Sequence, residues 1–430
     1  MRLVLVHAMS RNSSRWLAAT MKPRNGITPV FCFLLVVLSS FLFLNSPGTH
    51  DVTSWLDEWW MPNYKKFGFF RGYSSTGDNY PPLSFVVIGA IGELSTMLNI
   101  APLTVFILFI SLFLMSTTMV YYHFTKNIAL AGLLHASLAI NSMALGYLDV
   151  LFAPFVVLSL FALKSRRHLL FTTAFVLGIL MKYQPLAILP FLLVYVANVR
   201  SLADVRKIDL RDILQNVFLP SGIMLGIAIG AFGRHSIISL LKATQHTSIS
   251  ANALNFNWVV GSIIKMCEPA RYENVWQINY TQYPITLFSM VVFLALYLFA
   301  LFHFFKDKEK TFDRLLLHSA LGYLSYFVFG VGVHENYLFL PCLLFVMLLH
   351  EDNGYAAQCT FWLMYANLNL LMFYGIEGKG LHFNHKIFGF DYLGILVSIL
   401  GVIMFLRFYV ERLSRTRPKH RSYRSSVQGD

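Results

Sequence analysis

The sequence predicts an all-α polytopic membrane protein, on three observations. Only 13% of its 430 residues are charged and 56% are hydrophobic, with a mean hydropathy of +0.58, whereas a soluble domain carries about 25% charged residues. The apolar residues gather into runs of span length parted by short polar intervals, as a hydrocarbon core of roughly 30 Å demands. The net charge of +13 lies mainly before residue 26, in a few interior runs and in the tail 412–424. Cations placed that way fix orientation in a bilayer and do not indicate nucleic-acid binding.

A basic cytoplasmic segment, 1–26, leads into the apolar run 27–44, which lacks a small-residue cleavage site and reads as an uncleaved first span. Working back from the basic tail, 392–408 crosses outward to an external loop at 375–391, and 355–374 returns to the charged 350–352. The runs 337–349 and 315–331 then lead out to 333–336 and in to the lysines at 306–310. Next, 284–305 leads out to a long external loop, 233–283, and 216–232 leads back to a basic interval at 199–212. Two short apolar runs flank Lys182 and Gln184, so Lys182 falls on the external side; Ser165, Arg166 and Arg167 fall inside, and Asp149 outside.

Counting forward gives a conflict of parity. The segment 46–80 is external, and the runs 81–98, 102–122 and 128–145 separate it from Asp149. Three crossings would put Asp149 on the wrong face, so one run must fail to span; 81–98, interrupted by Gly89, Gly92 and Glu93, is the choice. The expectation is about twelve transmembrane helices. They form one transmembrane domain, 27–411, with external loops 46–80 and 233–283 and a basic cytoplasmic tail at 412–430. Four scattered cysteines, Cys32, Cys267, Cys342 and Cys359, build no disulfide frame or zinc knuckle.

The chemistry concentrates around 48–83. Asp51, Asp57 and Glu58 stand close to Trp55, Trp59 and Trp60, followed by Tyr80-Pro81-Pro82. Carboxylates, stacking faces and a stiff loop are what a sugar-handling site requires; an interfacial aromatic belt with solvated acids has the same composition. Asp149, Lys182, the long loop and His334-Glu335-Asn336-Tyr337 share that face. Ionisable groups at span ends are costly, so their convergence marks a functional cavity, of an enzyme or of a transporter.

The order of these motifs resembles the GT-C type glycosyltransferases that use polyprenyl-phosphate sugars, nearest to bacterial hexosyltransferases similar to the glycolipid-anchor mannosyltransferases. The resemblance rests on Asp51 after the first span, Tyr80-Pro81-Pro82, Gly146-Tyr147-Leu148-Asp149, Lys182-Tyr183-Gln184 and His334-Glu335-Asn336-Tyr337. Ser250-Ala251-Asn252-Ala253-Leu254-Asn255-Phe256-Asn257-Trp258 also resembles a segment of that family. Two positions depart from it: Tyr147 stands where the family often has Gln, and Asn336 where it often has Arg.

What the resemblance implies is inverting transfer of a hexose from a polyprenyl-phosphate donor to a lipid-linked glycan or the O-antigen of lipopolysaccharide. The site would face the periplasm from a bacterial inner membrane, or the lumen of the endoplasmic reticulum. A donor synthase and a flippase would be the protein's partners. Asp51 matches the catalytic base, with Asp57 the next candidate. The donor phosphate would be held by Lys182 and His334, with Arg234, Lys265 and Arg271 from the long loop. Tyr80, Gln184, Asn252, Asn255, Trp258, Glu335 and Tyr337 are candidate substrate contacts. Asp149 orients Lys182 or His334, or ligates a divalent metal with Asp51; no cofactor is required, and no His/Asp/Glu spacing demands a metal. The rival function is a flippase or transporter of lipid-linked sugar, although no internal repeat is visible.

Overall fold

This computed structural model describes residues 34, 37, 42, 43, 46–77, 79–198, 210–375 and 392–413. The basic N-terminus, most of the expected first span, the intervals 199–209 and 376–391 and the tail beyond 413 lie outside the described residues. Every regular element among them is helical, and sheet-like pairing is confined to three isolated bridges.

The chain enters through a short helical turn at His50–Thr53 and a π-turn at Ser54–Glu58. Helix α1 (Trp60–Thr76) is broken at Gly68, whose φ of 72° and ψ of −173° belong to a region that only glycine enters freely. The chain doubles back there, and Trp59 Nε1 donates to Thr76 O at 2.7 Å. Helices α2 (Pro82–Leu98) and α3 (Pro102–Thr125) each open on a proline, whose missing N–H is one that a first turn leaves unpaired anyway. Helix α4 (Ile128–Ala139) is capped by Asn127, which accepts from Leu130 N, and it runs into a π-turn at Ile140–Ala144.

Helices α5 (Ala153–Lys164) and α6 (His168–Met181) follow, and a 3₁₀ turn at Gln184–Ile188 leads into α7 (Leu189–Ala197). After α8 (Leu210–Phe232) come two short amphipathic helices of the long loop, α9 (His235–Ala243) and α10 (Phe256–Cys267). The last five are α11 (Pro284–Lys306), α12 (Phe312–Phe329), α13 (Phe339–Glu351), α14 (Ala356–Tyr374) and α15 (Tyr392–Leu413).

Four of the described helices, α3, α8, α11 and α15, are long and apolar enough to cross a membrane. Only 11% of the apolar window of α8 and 17% of that of α11 are buried inside the protein. Exposed Ile223, Ile227, Leu287, Phe288 and Val291 therefore present apolar surface that water would penalise and hydrocarbon accommodates. By contrast, α12 and α13 are buried along nearly their whole length and form the centre of the bundle. The chain is an all-α membrane protein.

The bundle has two chemically distinct ends. At one, Lys164 Nζ meets Glu351 Oε1 at 2.6 Å and lies 5.4 Å over the Phe312 ring, and Arg412 lies 4.4 Å over Tyr355. Phe124 stacks on Phe161 there at 4.7 Å, which brings the end of α3 to the end of α5. The opposite end gathers the segments around Asp51, Tyr80, Tyr147, Lys182, His246 and His334 about one cavity.

Helix α2 leaves from Tyr80 at the cavity end. Phe106, near the start of α3, lies 6.4 Å from Trp55, and a Cβ on Gly146 would come 3.3 Å from its ring, so α3 also begins at that end. Thus α2 starts and finishes at the same end of the bundle. It packs along the α1 hairpin instead, with Glu93 Oε1 accepting from Tyr64 OH at 2.7 Å and Gly89 set against Tyr64 and Phe69.

Candidate functional site

Two glycines bring Asp51 to its neighbours. Gly48 and Gly146 both have a φ of +71°, and a Cβ on either would strike the Val52 side chain. Their absence of side chains lets segment 46–52 lie on 144–147, where Thr49 N donates to Leu145 O at 3.0 Å and Ser46 Oγ to Ala144 O at 2.6 Å. The Asp51 side chain is exposed at the mouth of a cavity of about 460 Å³. Its aromatic wall is Trp55 and Tyr80, with ring centres 5.9 Å apart, backed by Trp60, 5.2 Å from Tyr80.

Lys182 enters where α6 stops. Its backbone is extended, and Pro185, which has no N–H to give a helix, opens the 3₁₀ turn toward α7. Lys182 Nζ pairs with Asp149 Oδ1 at 2.9 Å and lies 5.0 Å over the Tyr80 ring. Asp149 is fully buried and also accepts from Asn336 Nδ2 at 2.8 Å. Burial raises its carboxyl above the ordinary range, and Lys182 and Asn336 pull it back. The pairing of Asp149 with Lys182 is thus present in the fold.

His334 stands at the start of a 3₁₀ turn, Glu335–Leu338, that is clamped to the long loop. Ala251 N donates to Val333 O at 3.0 Å, Glu335 N to Ala251 O at 3.2 Å and Gly332 N to Ile249 O at 3.3 Å. This clamp sets His246 against His334, ring centres 4.8 Å apart and nearly perpendicular. Both imidazoles line the cavity with Lys182, Gln184 and Tyr337. Burial lowers the pKa of each, that of His334 to about 3, with His246 and Lys182 adding to the depression.

Glu335 is buried behind this wall. It accepts from the Tyr147 hydroxyl and, at 3.2 Å, from Tyr374 OH, which in turn accepts from Asn252 Nδ2 at 3.1 Å. Burial pushes its carboxyl up to about 7 against the pull of those hydroxyls, and the Asp51 charge adds to the rise.

The expected site residues therefore divide. Asp51, Tyr80, Lys182, Gln184, His334 and Tyr337 line one cavity, with Asp149 and Glu335 directly behind it. Asn252, Asn255 and Trp258 serve the fold. Asn255 caps α10, accepting from Trp258 N at 2.9 Å, and donates to Phe327 O at 2.9 Å. Trp258 is buried edge-on against Phe373, and Asn252 takes a φ of +58°. None of the three lines the cavity: Asn255 is engaged with backbone groups, Asn252 Nδ2 with Tyr374 OH, and the Trp258 ring with Phe373.

The loop cations lie elsewhere too. Arg271 pairs with Glu268 at 3.1 Å and donates to Gln282 at 2.9 Å. Arg234 lines a separate surface pocket with Arg71, beyond α9, and neither Lys265 nor exposed Asp57 lines the cavity. Sequence reasoning missed His246, Tyr183, Tyr323 and Tyr326, which all line it. The two departures from the resembled pattern lie inside the network, Tyr147 on Glu335 and Asn336 on Asp149. Among the described residues no group of three or more His, Cys, Asp or Glu is placed to hold a metal ion. No family model matches the chain, and no curated protein matches its sequence.

Proposed function

We propose that the protein is an inverting membrane glycosyltransferase of GT-C type. It moves a hexose from a polyprenyl-phosphate donor to a lipid-linked glycan or lipopolysaccharide acceptor at the external face. The observation that carries this reading is one cavity, at the end of an apolar bundle away from its basic loops, that joins an exposed carboxylate to an ammonium and two imidazoles beneath aromatic rings. Asp51 takes the proton of the acceptor hydroxyl as it attacks the anomeric carbon. Lys182, aimed by Asp149, meets the phosphate that leaves on the opposite side of the sugar. The Tyr80 and Trp55 faces hold the sugar ring.

The test is transfer in detergent, where transport has no readout. Purified protein is given polyprenyl-phosphate glucose, mannose or galactose with candidate glycolipid acceptors, and consumption of donor is followed. Asp51→Asn keeps the side chain's shape and cannot accept the proton, so kcat should fall about a hundredfold or more while donor binding stays. Turnover within a few-fold of the native protein would remove Asp51 as the base.

A further inference from the structure

The long loop contributes a residue that the motif pattern does not contain. His246 lies two residues before the bridge between Ser248 and Asn279 and is held over His334 by the clamp between 249–251 and 332–335. Gly332 is what permits the approach: its φ is +63°, and a Cβ there would come 2.5 Å from His246 Cβ. Two imidazoles from separate segments are thus fixed in contact on the wall of the cavity, on the side that also carries Lys182.

We infer that the His246–His334 pair is a phosphate-holding element that takes up one proton from solvent when the donor's phosphodiester binds; this rests on the glycosyltransferase reading. The ammonium in the cavity disfavours a second positive charge beside it, and burial of the rings acts in the same direction. A bound phosphodiester monoanion reverses that balance, since an anion within about 4–6 Å favours the charged imidazole. Two rings in contact carry one proton more readily than two, because the second charge would repel the first.

The groups facing the pair fit this. The charged ones are Lys182, with Asp149 behind it, and Asp51, while the Glu335 carboxyl is turned to Tyr147 and Tyr374. The other titratable neighbours are tyrosines, whose usual pKa of about 10 keeps them neutral near pH 7. During transfer the anomeric C–O bond breaks, the new glycosidic bond forms and the acceptor's proton passes to Asp51. The departing phosphate then gains a negative charge, which the proton already on the pair offsets.

The sign follows from the lowered pKa values of the two imidazoles. Affinity for the anion rises as pH falls through the pKa of the occupied site, by at most about tenfold per pH unit. The probe is farnesyl methyl phosphate, a permanent monoanion that does not itself titrate. Its binding to the full-length protein in detergent is measured by calorimetry between pH 6 and pH 8, in buffers of differing ionisation enthalpy. Native protein should bind with uptake approaching one proton, His246→Gln should bind more weakly with little uptake, and His246→Arg should bind with no pH dependence. Unchanged uptake in His246→Gln, or none in native protein that binds, would overturn the pair and leave the glycosyltransferase reading standing. No binding by native protein at any pH would take both down.

Discussion

Lys182 and Asp149 form a buried ion pair, and such pairs are worth little against apolar replacements yet cost much when one partner is removed. Lys182→Met leaves a fully buried carboxylate with Asn336 as its polar support, and Asp149→Asn leaves Lys182 without its counter-charge. Each single variant should lose about 3–5 kcal/mol, read as a lower denaturation midpoint in detergent. The double variant should lose less than the sum of the two, because it strands neither charge. Equal and additive losses would mean that the pair is not coupled. Asp51 stands in a different position, exposed at the cavity mouth, so its substitution should act on turnover with little effect on stability.

At the scale of the element, legibility follows what each residue is paired with. Asp51, Lys182 and His334 were readable because each charged or titratable group falls at the end of an apolar run, where only function or pairing explains it. Asn252, Asn255 and Trp258 lie off the cavity although they read as sugar contacts, because an amide or indole on a loop has the same composition whether it meets a ligand or a backbone carbonyl. Asn255 resolves toward the backbone, capping α10 and tying it to the end of α12. Asn255→Ala should therefore lower stability by about 1–2 kcal/mol and leave the apparent donor affinity unchanged. A selective loss of donor affinity at full stability would return Asn255 to the site. His246 was not readable at all, since its place depends on Gly332 and on backbone pairing between segments about eighty residues apart.

For the whole molecule, charge counting yielded a parity conflict that propensity could not resolve, because 81–98 is apolar enough to resemble a span. The fold supplies a physical resolution: α2 packs on the hairpin made by the break at Gly68, begins beside the cavity and leads into α3 at the same end of the bundle. If α2 lies along the external surface, Asp51 and Asp149 face the same compartment with α3 and α4 as a full out-and-back pair. Single cysteines in a cysteine-free background test this, at positions that are exposed in the fold. Those replacing Ser75, Thr96 and Thr247 should react with a membrane-impermeant thiol reagent from outside. Those replacing Lys126, Lys308 and Asn353 should react only after the membrane is opened. Thr96, in the last turn of α2, is the decisive position: a helix of 17 residues directed across the bilayer would carry it about 20 Å from Tyr80 toward the opposite compartment and out of reach of the external reagent. Protection of that cysteine from outside while Ser75 is labelled would make α2 a span and set Asp149 on the face opposite Asp51, and one shared active site could not survive it.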